Sequence, residues 1–286
     1  GQFIQTELAL KVLTGVYDVQ TVFFSVEGVF TNTCPVDAYR GAGRPEAIYV
    51  IERLMDYAAK VLNIDHLQLR SINFIKPENF PYRTASGEVY DVGNFEKLLK
   101  TAQIKADITG FNKRKKLSKD KGLLRGLGLC FYIESILGAQ NETTKIEFSD
   151  NGGVNLYVGT QSNGQGHQTV FAQILHERSG IPFEKINFIQ GDSDLIAKGG
   201  GTGGSRSVTM QGNSINATTD IMIEKFMKLA EQELDAHQSE IEFSDGIFAV
   251  AGTNKYVNIM ELSEKAHQLG LTSILITEFE NTVKGR

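Results

Sequence analysis

Gly199-Gly200-Gly201-Thr202-Gly203-Gly204-Ser205-Arg206-Ser207 runs directly into a helical pattern that continues to about Asp235. Glycine lets the backbone adopt positive φ and come close to a neighbour. Where such a stretch opens a helix, the unpaired N–H groups of the first turn and the positive end of the dipole favour an anion. A second small-residue loop, Ser162-Asn163-Gly164-Gln165-Gly166-His167-Gln168-Thr169, also opens a helix, over about Gln168–Ser179. Two helix starts of this kind point to a site for a large anion such as a phosphate, and the hydroxyls of Ser205 and Ser207 would add donors. No Gly-Lys-Ser/Thr closes either loop, so neither is a P-loop, and the glycine spacing is not that of the dinucleotide-binding fingerprint. A tight connector with Ser207 capping the helix, and a surface turn around Gln165, are the plain alternatives.

Outward from these loops the pattern is a mixture of strands and helices. Thr144–Phe148 and Val154–Thr160 read as strands joined by an Asp150-Asn151-Gly152-Gly153 turn, and Lys185–Gln190 as another. Gly180 marks the end of the helix before that strand. Glu240–Phe243 and Ile247–Val250 meet at Asp245-Gly246, and Met260–Gln268 reads as a helix. Upstream, Pro45 opens a helix with apolar residues at Ile48, Ile51, Leu54, Met55, Ala58, Ala59 and Leu62, closed by Asn63. Leu67–Phe74 predicts a helical turn and Phe95–Gln103 a short helix. The alternation over Val19–Phe30 and the apolar run Leu123–Leu137 predict two further strands. Without strict βαβ alternation the class is α+β, with mixed sheets, packed helices and two subdomains. The polar stretch Lys105–Lys121 places the break between residues 1–121 and 122–286. Residue 1 falls within an amphipathic segment, and Ile274–Arg286 reads as a strand entering a loop with nothing to close it. The expectation is therefore an internal piece of a longer polypeptide.

Composition excludes several classes. The 286 residues are 41% hydrophobic and 22% charged, with a formal net charge of −5, which fits a cored protein and not a nucleic-acid binder. The basic run Lys113-Arg114-Lys115-Lys116 reads as a solvated connector. No apolar run approaches the length of a membrane span. Two cysteines, Cys34 and Cys130, give neither a disulfide framework nor zinc spacing, so a reducing, cytoplasmic setting is expected, with Cys130 a buried inert thiol. The five histidines lack metal-ligand spacing and read as surface or helix-end residues, so no protein-ligated metal is expected. In Ala38-Tyr39-Arg40-Gly41-Ala42-Gly43-Arg44-Pro45-Glu46-Ala47 the glycines would let backbone approach a ligand. Arg40 and Arg44 would bind an anion or pair with Glu46 or Glu134.

Ala38–Ala47, Gly164–Thr169 and Gly201–Gly212 stand in the order and at the spacing found in the molybdenum hydroxylases. Over essentially the whole chain, including Asp37, Glu52–Asp56, Leu69-Arg70 and Tyr132–Glu134, the sequence resembles the molybdopterin-binding large subunit of the xanthine dehydrogenase, aldehyde oxidase and carbon monoxide dehydrogenase family. The resemblance implies a molybdenum-molybdopterin cytosine dinucleotide cofactor. It implies a Gln165 amide near the metal's oxo group and backbone contacts from Gly164 and Gly166. It places the Arg40-Gly41-Ala42 loop beside metal and substrate, with a cradle of Gly203, Gly204, Ser205 and Ser207 for pterin and pyrophosphate. It further implies hydroxylation of a small-molecule carbon with water as oxygen source, and electron flow to a 2Fe-2S small subunit and an FAD-binding medium subunit.

Two departures accompany the resemblance. The family's catalytic glutamate, in a Gly-x-Gly-Glu context, and its early glycine-phenylalanine-glycine loop are both missing, so the isolated chain is expected to be inactive. Gly41 stands where carbon monoxide oxidisers carry a cysteine, and Ala42 where xanthine enzymes carry an aromatic, leaving an aldehyde or N-heterocycle as the expected substrate. A non-catalytic nucleotide- or phosphate-binding module, or an assembly domain, is the alternative.

Overall fold

The computed structural model describes residues 3–35 and 37–283, and they fall into two compact units, Gly1–Ser135 and Ile136–Arg286.

The first unit contains α1 (Ile4–Val12), α2 (Arg44–Leu62), α3 (His66–Asn73), a short hairpin of β1 (Tyr82–Arg83) and β2 (Val89–Tyr90), α4 (Phe95–Lys105) and α5 (Phe111–Asp120). Local chemistry sets the helix ends. Pro45 lies in the first turn of α2, and Asn63 closes it in the left-handed region at φ 53°. The Asp65 carboxylate accepts from Leu67 N and Gln68 N to cap α3, and the Asn94 amide oxygen accepts from Lys97 N to cap α4. Phe74 centres the core, with ring contacts to Tyr17 at 5.9 Å, Phe95 at 6.1 Å and Phe131 at 4.9 Å. Beside it lies a buried polar cluster. Arg70 Nε donates to Glu52 Oε2 at 3.0 Å, Tyr17 donates to Glu52 Oε1 at 2.5 Å, and Arg70 pairs with Asp56 at 2.9 Å. Burial and the neighbouring Glu52 carboxylate push the Tyr17 phenol well above its ordinary range.

Two strand expectations fail here. Val19–Phe30 and Leu123–Leu137 form no strand and join no sheet among the described residues. Phe23 and Phe30 stand 90% and 92% exposed. In the second segment Leu129, Phe131 and Ile133 turn toward the first unit's core while Cys130 and Tyr132 face out. Cys130 is thus exposed rather than buried, as is Cys34. Both faces of Leu129–Ile133 are apolar, so alternation alone could not choose the phase. The packing of this segment also carries the first unit to Ser135, later than the break expected at 121/122. Part of the expected connector is instead helix α5, with its lysines exposed.

The second unit holds β3 (Asn141–Phe148), β4 (Val154–Val158), α6 (His167–Ser179), β5 (Ile186–Ile189), α7 (Ser207–Leu234), β6 (Ile241–Ser244), β7 (Ile247–Val250), β8 (Tyr256–Asn258), α8 (Ile259–Gln268), α9 (Thr272–Leu275) and β9 (Ile276–Thr282). Its main sheet has the order β5-β4-β3-β9. β3 and β4 form the expected hairpin, with Ile146 opposite Leu156. β4 and β5 are parallel, so β4–α6–β5 is a βαβ unit within the mixed sheet. β9 lies antiparallel to β3, with Ile146 opposite Thr277. Of the segment expected to be left open, Ile274 and Leu275 end α9 and Ile276–Thr282 is closed into the sheet; residues 284–286 lie outside the described residues. β6, β7 and β8 form a second antiparallel sheet.

α7 lies along β3 and β9 with α6 beside it. Its Ile215, Met222, Phe226, Leu229 and Ala230 are buried, and Phe226 meets Phe148 at 4.8 Å. The inward face of β3 changes character along its length, from Glu142 and Thr144 to Ile146 and Phe148. The polar end lies beneath the two glycine-bearing loops, and the apolar end builds the core. Phe226→Ala is expected to lower stability by about 3–5 kcal/mol, whereas Phe23→Ala should change it by less than about 0.5 kcal/mol. Urea unfolding of both variants checks the contrast.

Candidate functional site

The β4–α6 loop and the loop before α7 run side by side in the second unit. A Cβ on Gly199 would fall 2.2 Å from the Gly159 carbonyl oxygen, and one on Gly159 would fall 2.5 Å from Gly199 Cα. Only glycine fits at either point. Gln161 N donates to Thr202 Oγ1 at 3.1 Å, tying the loops again farther out.

Three buried side chains hold this pair of loops from below. Gln211 receives Gly159 N at 3.0 Å and Thr160 N at 3.3 Å on its amide oxygen, and donates to Thr143 O at 3.1 Å and Thr144 Oγ1 at 2.8 Å. Arg206 is 2% exposed. It donates to Glu142 Oε2 at 2.6 Å and to the carbonyls of Gly201 at 2.7 Å, Asn141 at 2.9 Å and Ala139 at 3.0 Å. Glu142 in turn accepts from Gly200 N at 3.1 Å and 3.2 Å on its two oxygens.

The upper surface differs in kind. A Cβ added at Gly164, Gly166, Gly201 or Gly203 would meet nothing within 4 Å. These glycines face open space, where a ligand can come against bare backbone. α6 begins after Gly166, left-handed at φ 79°, with no side-chain cap, and α7 begins after Arg206, also without one. Their first-turn N–H groups and dipoles favour an anion. The donor chemistry and the open cradle fit a phosphate-bearing group.

The individual residues divide. Gly164, Gln165, Gly166, Gly203, Gly204 and Ser205 all belong to this pair of loops. Ser205 is left-handed at φ 61°. Ser207 is buried, its hydroxyl 3.0 Å from that of Thr202, so it already serves the loop itself. The Gln165 side chain folds back: its amide oxygen accepts from Asn163 N at 2.6 Å, and its nitrogen lies 3.0 Å from His167 Nε2. His167, expected as a surface or helix-end residue, does open α6 but is only 1% exposed, and its Nδ1 has no partner. Burial lowers its pKa and favours the neutral ring. A buried donor without a partner costs about 1–3 kcal/mol.

The third expected loop lies in the first unit. Gly41, Ala42 and Gly43 are all left-handed, at φ 90°, 44° and 91°. Arg44, itself buried, donates from Nε to Gly41 O at 2.8 Å, from Nη1 to Ser135 O, and pairs with Glu134 at 2.7 Å. Of the roles left open for Arg44, pairing with Glu134 is the one seen, while Arg40 is exposed. No group of three or more His, Cys, Asp or Glu side chains among the described residues is placed to hold a metal ion.

Sequence patterns missed Glu142, Gln211 and the burial of His167. Arg206 stood within the glycine-rich stretch, where a single cation among glycines was the available signal. Arg206→Met would leave the Glu142 carboxylate buried without its partner. It is expected to cost about 3–5 kcal/mol and to speed hydrogen exchange at Gly200 N, both measurable on the same preparation.

Comparison with known proteins shows what the chain as a whole is similar to. Residues 101–283 and 2–74 match models of a molybdopterin cofactor-binding domain. The carbon monoxide dehydrogenase large chain of Afipia carboxidovorans is 33% identical over 277 residues, covering 89% of this chain and 34% of that one. The nicotine 6-hydroxylase large subunit of Paenarthrobacter nicotinovorans is 31% identical over 251 residues, covering 84% and 30%. The chain thus spans about a third of the length of these curated relatives. The structure of a reconstituted carbon monoxide dehydrogenase from Oligotropha carboxidovorans superposes with a TM-score of 0.84 at 29% identity, over 96% of this chain and 37% of that one. The domain models, which match most of the sequence, and these relatives show that the chain belongs to the molybdopterin cofactor-binding family of molybdenum hydroxylase large subunits.

Proposed function

We propose that this chain forms cofactor-binding elements of a molybdenum-dependent hydroxylase that oxidises an aldehyde or an N-heterocycle with water as oxygen source. The observation that carries the proposal is the pair of uncapped helix starts whose glycines 164, 166, 201 and 203 face open space. When bound, a molybdenum-pterin group supplies two-electron redox chemistry that no side chain here possesses. This chain's residues bind and orient it. The first-turn N–H groups of α6 and α7 hold phosphate, in line with a cytosine dinucleotide form of the cofactor. Gly164, Gly166 and Gly203 admit the group against backbone, Gly204 turns the loop against Leu137, Ser205 adds a hydroxyl, and Gln165 donates an N–H. Gln211 and Arg206 keep both loops from collapsing into the space.

Two features bear on substrate. Any Cβ at Gly41 would lie 2.5 Å from Pro45 Cγ, with φ at 90°. The loop therefore has no room for the cysteine that the resemblance associates with carbon monoxide oxidation. Ala42 at φ 44° disfavours a bulky aromatic, which argues against xanthine. The Arg40-Gly41-Ala42 backbone is assigned to the substrate side. A catalytic glutamate, a 2Fe-2S small subunit and an FAD-binding medium subunit complete the proposed assembly in the cytoplasm, and the chain alone is inactive in this reading. No described helix is long and apolar enough to cross a membrane.

The subunit expressed from its native reading frame with cofactor maturation should carry near-stoichiometric molybdenum and release CMP on acid hydrolysis. Gln165→Ala and the Ser205→Ala/Ser207→Ala pair should carry less of both. Metal analysis and nucleotide chromatography read the outcome. Absence of molybdenum and CMP in the unmodified protein would leave a non-catalytic phosphate-binding module in its place.

A further inference from the structure

Gln165 has two polar ends and the loop determines which way each points. Asn163 N–H lies 2.6 Å from the atom assigned as Oε1, and the Ser162 hydroxyl is 3.5 Å from it. An N–H must meet an acceptor, so this end of the amide is the oxygen. The NH2 end then faces His167 Nε2 at 3.0 Å. Two donors cannot share that contact, so Nε2 is the bare, accepting nitrogen and the ring proton sits on Nδ1. That Nδ1 is buried and unpartnered. The ring is held by the start of α6 and by Phe171, whose centroid is 4.8 Å away.

We infer that His167 is a positioning residue: its Nε2 lone pair fixes the Gln165 carboxamide so that the oxygen stays committed to the loop and the second N–H is presented outward, toward the open face of Gly164 and Gly166. Its importance for a bound acceptor group, an oxo or a phosphate oxygen, rests on the cofactor reading above. The orientation itself does not. Neither tautomer gives Nδ1 a partner, but a proton on Nε2 would in addition set two donors against each other at the Gln165 amide, so the proton stays on Nδ1. This reasoning runs from a buried, unsatisfied atom to a role, in the direction that such outliers allow.

The test uses the full 286-residue chain labelled with 15N. Long-range proton–nitrogen correlation on histidine should show the His167 proton on Nδ1 and a bare Nε2. One side-chain N–H of Gln165 should exchange about tenfold more slowly than that of a free glutamine, the factor a single net hydrogen bond provides. His167→Phe keeps the ring volume against Phe171 but removes the acceptor, and should abolish that protection. His167→Gln restores an acceptor oxygen and should recover most of it, a rescue that loss of packing alone would not permit. A proton on Nε2, or Gln165 side-chain signals unchanged in His167→Phe, overturns the proposal. Should His167→Phe fail to fold, the tautomer and the His167→Gln variant still decide it. Molybdenum content of the native-frame subunit is read separately. A metal-free protein with an Nδ1-protonated His167 would sink the cofactor reading alone, and a loaded protein with the proton on Nε2 would sink only the positioning role.

Discussion

The second unit depends on one buried ion pair. Arg206 and Glu142 lie at the polar end of the β3 face, almost wholly removed from water. Desolvating two charges is expensive, and their mutual attraction offsets it only when the remaining donors and acceptors are also satisfied. Here they are. The guanidinium reaches three carbonyls besides the carboxylate, and the carboxylate takes Gly200 N. The result is a fixed path for a stretch of chain that, being rich in glycine, carries the largest entropy cost of ordering. The pair is better understood as specifying the loop's course than as adding net stability.

From that constraint the division of labour among the glycines follows. Gly159, Gly199, Gly200 and Gly204 are packed against other groups, and a side chain at any of them would collide with backbone, with Arg206 or with Leu137. Gly164, Gly166, Gly201 and Gly203 are open. The first set lets the two loops approach each other and their support; the second leaves backbone bare on the far side. Gln211 works in the same sense, one side chain serving two loop N–H groups and the edge of β3. A βαβ step from β4 through α6 to β5 puts the Gln165 loop at the end of a strand and the start of a helix, so the anion site proposed there would rest on backbone rather than on any charged side chain.

Much of this was legible in the sequence. The Asp150–Gly153 hairpin, the helix closed at Gly180 and the long helix after Ser207 lie as read, because each combines a clear period with a recognised stop. The Pro45 helix and its Asn63 end do so for the same reason. Val19–Phe30 and Leu123–Leu137 misled because β-branched and aromatic alternation describes a surface suited to a sheet without supplying a neighbouring strand. Cys130 was misplaced by a single step of that alternation, since both faces of the segment are apolar. The polar run around Lys113 looked like a connector, yet its residues make a short helix whose charges are all compatible with solvent.

The site separates in the same way. The sequence by itself picked out the loops to which the proposed cofactor contacts are assigned, because a glycine-rich stretch, a lone Gln165 and the Ala38–Ala47 segment are local features whose chemistry shows in one dimension. It also determined the unit's core, through periodicity. Only the tertiary structure decided that Glu142, more than sixty residues from Arg206, lies beneath the glycine loop, that Gln211 ties Gly159 and Thr160 to β3, and that His167, at the start of α6, is buried beside Gln165. Those facts depend on strand register and on which face of α7 meets β3. Contacts between residues far apart in the chain leave no periodic or compositional trace; they exist only once the sheet is formed.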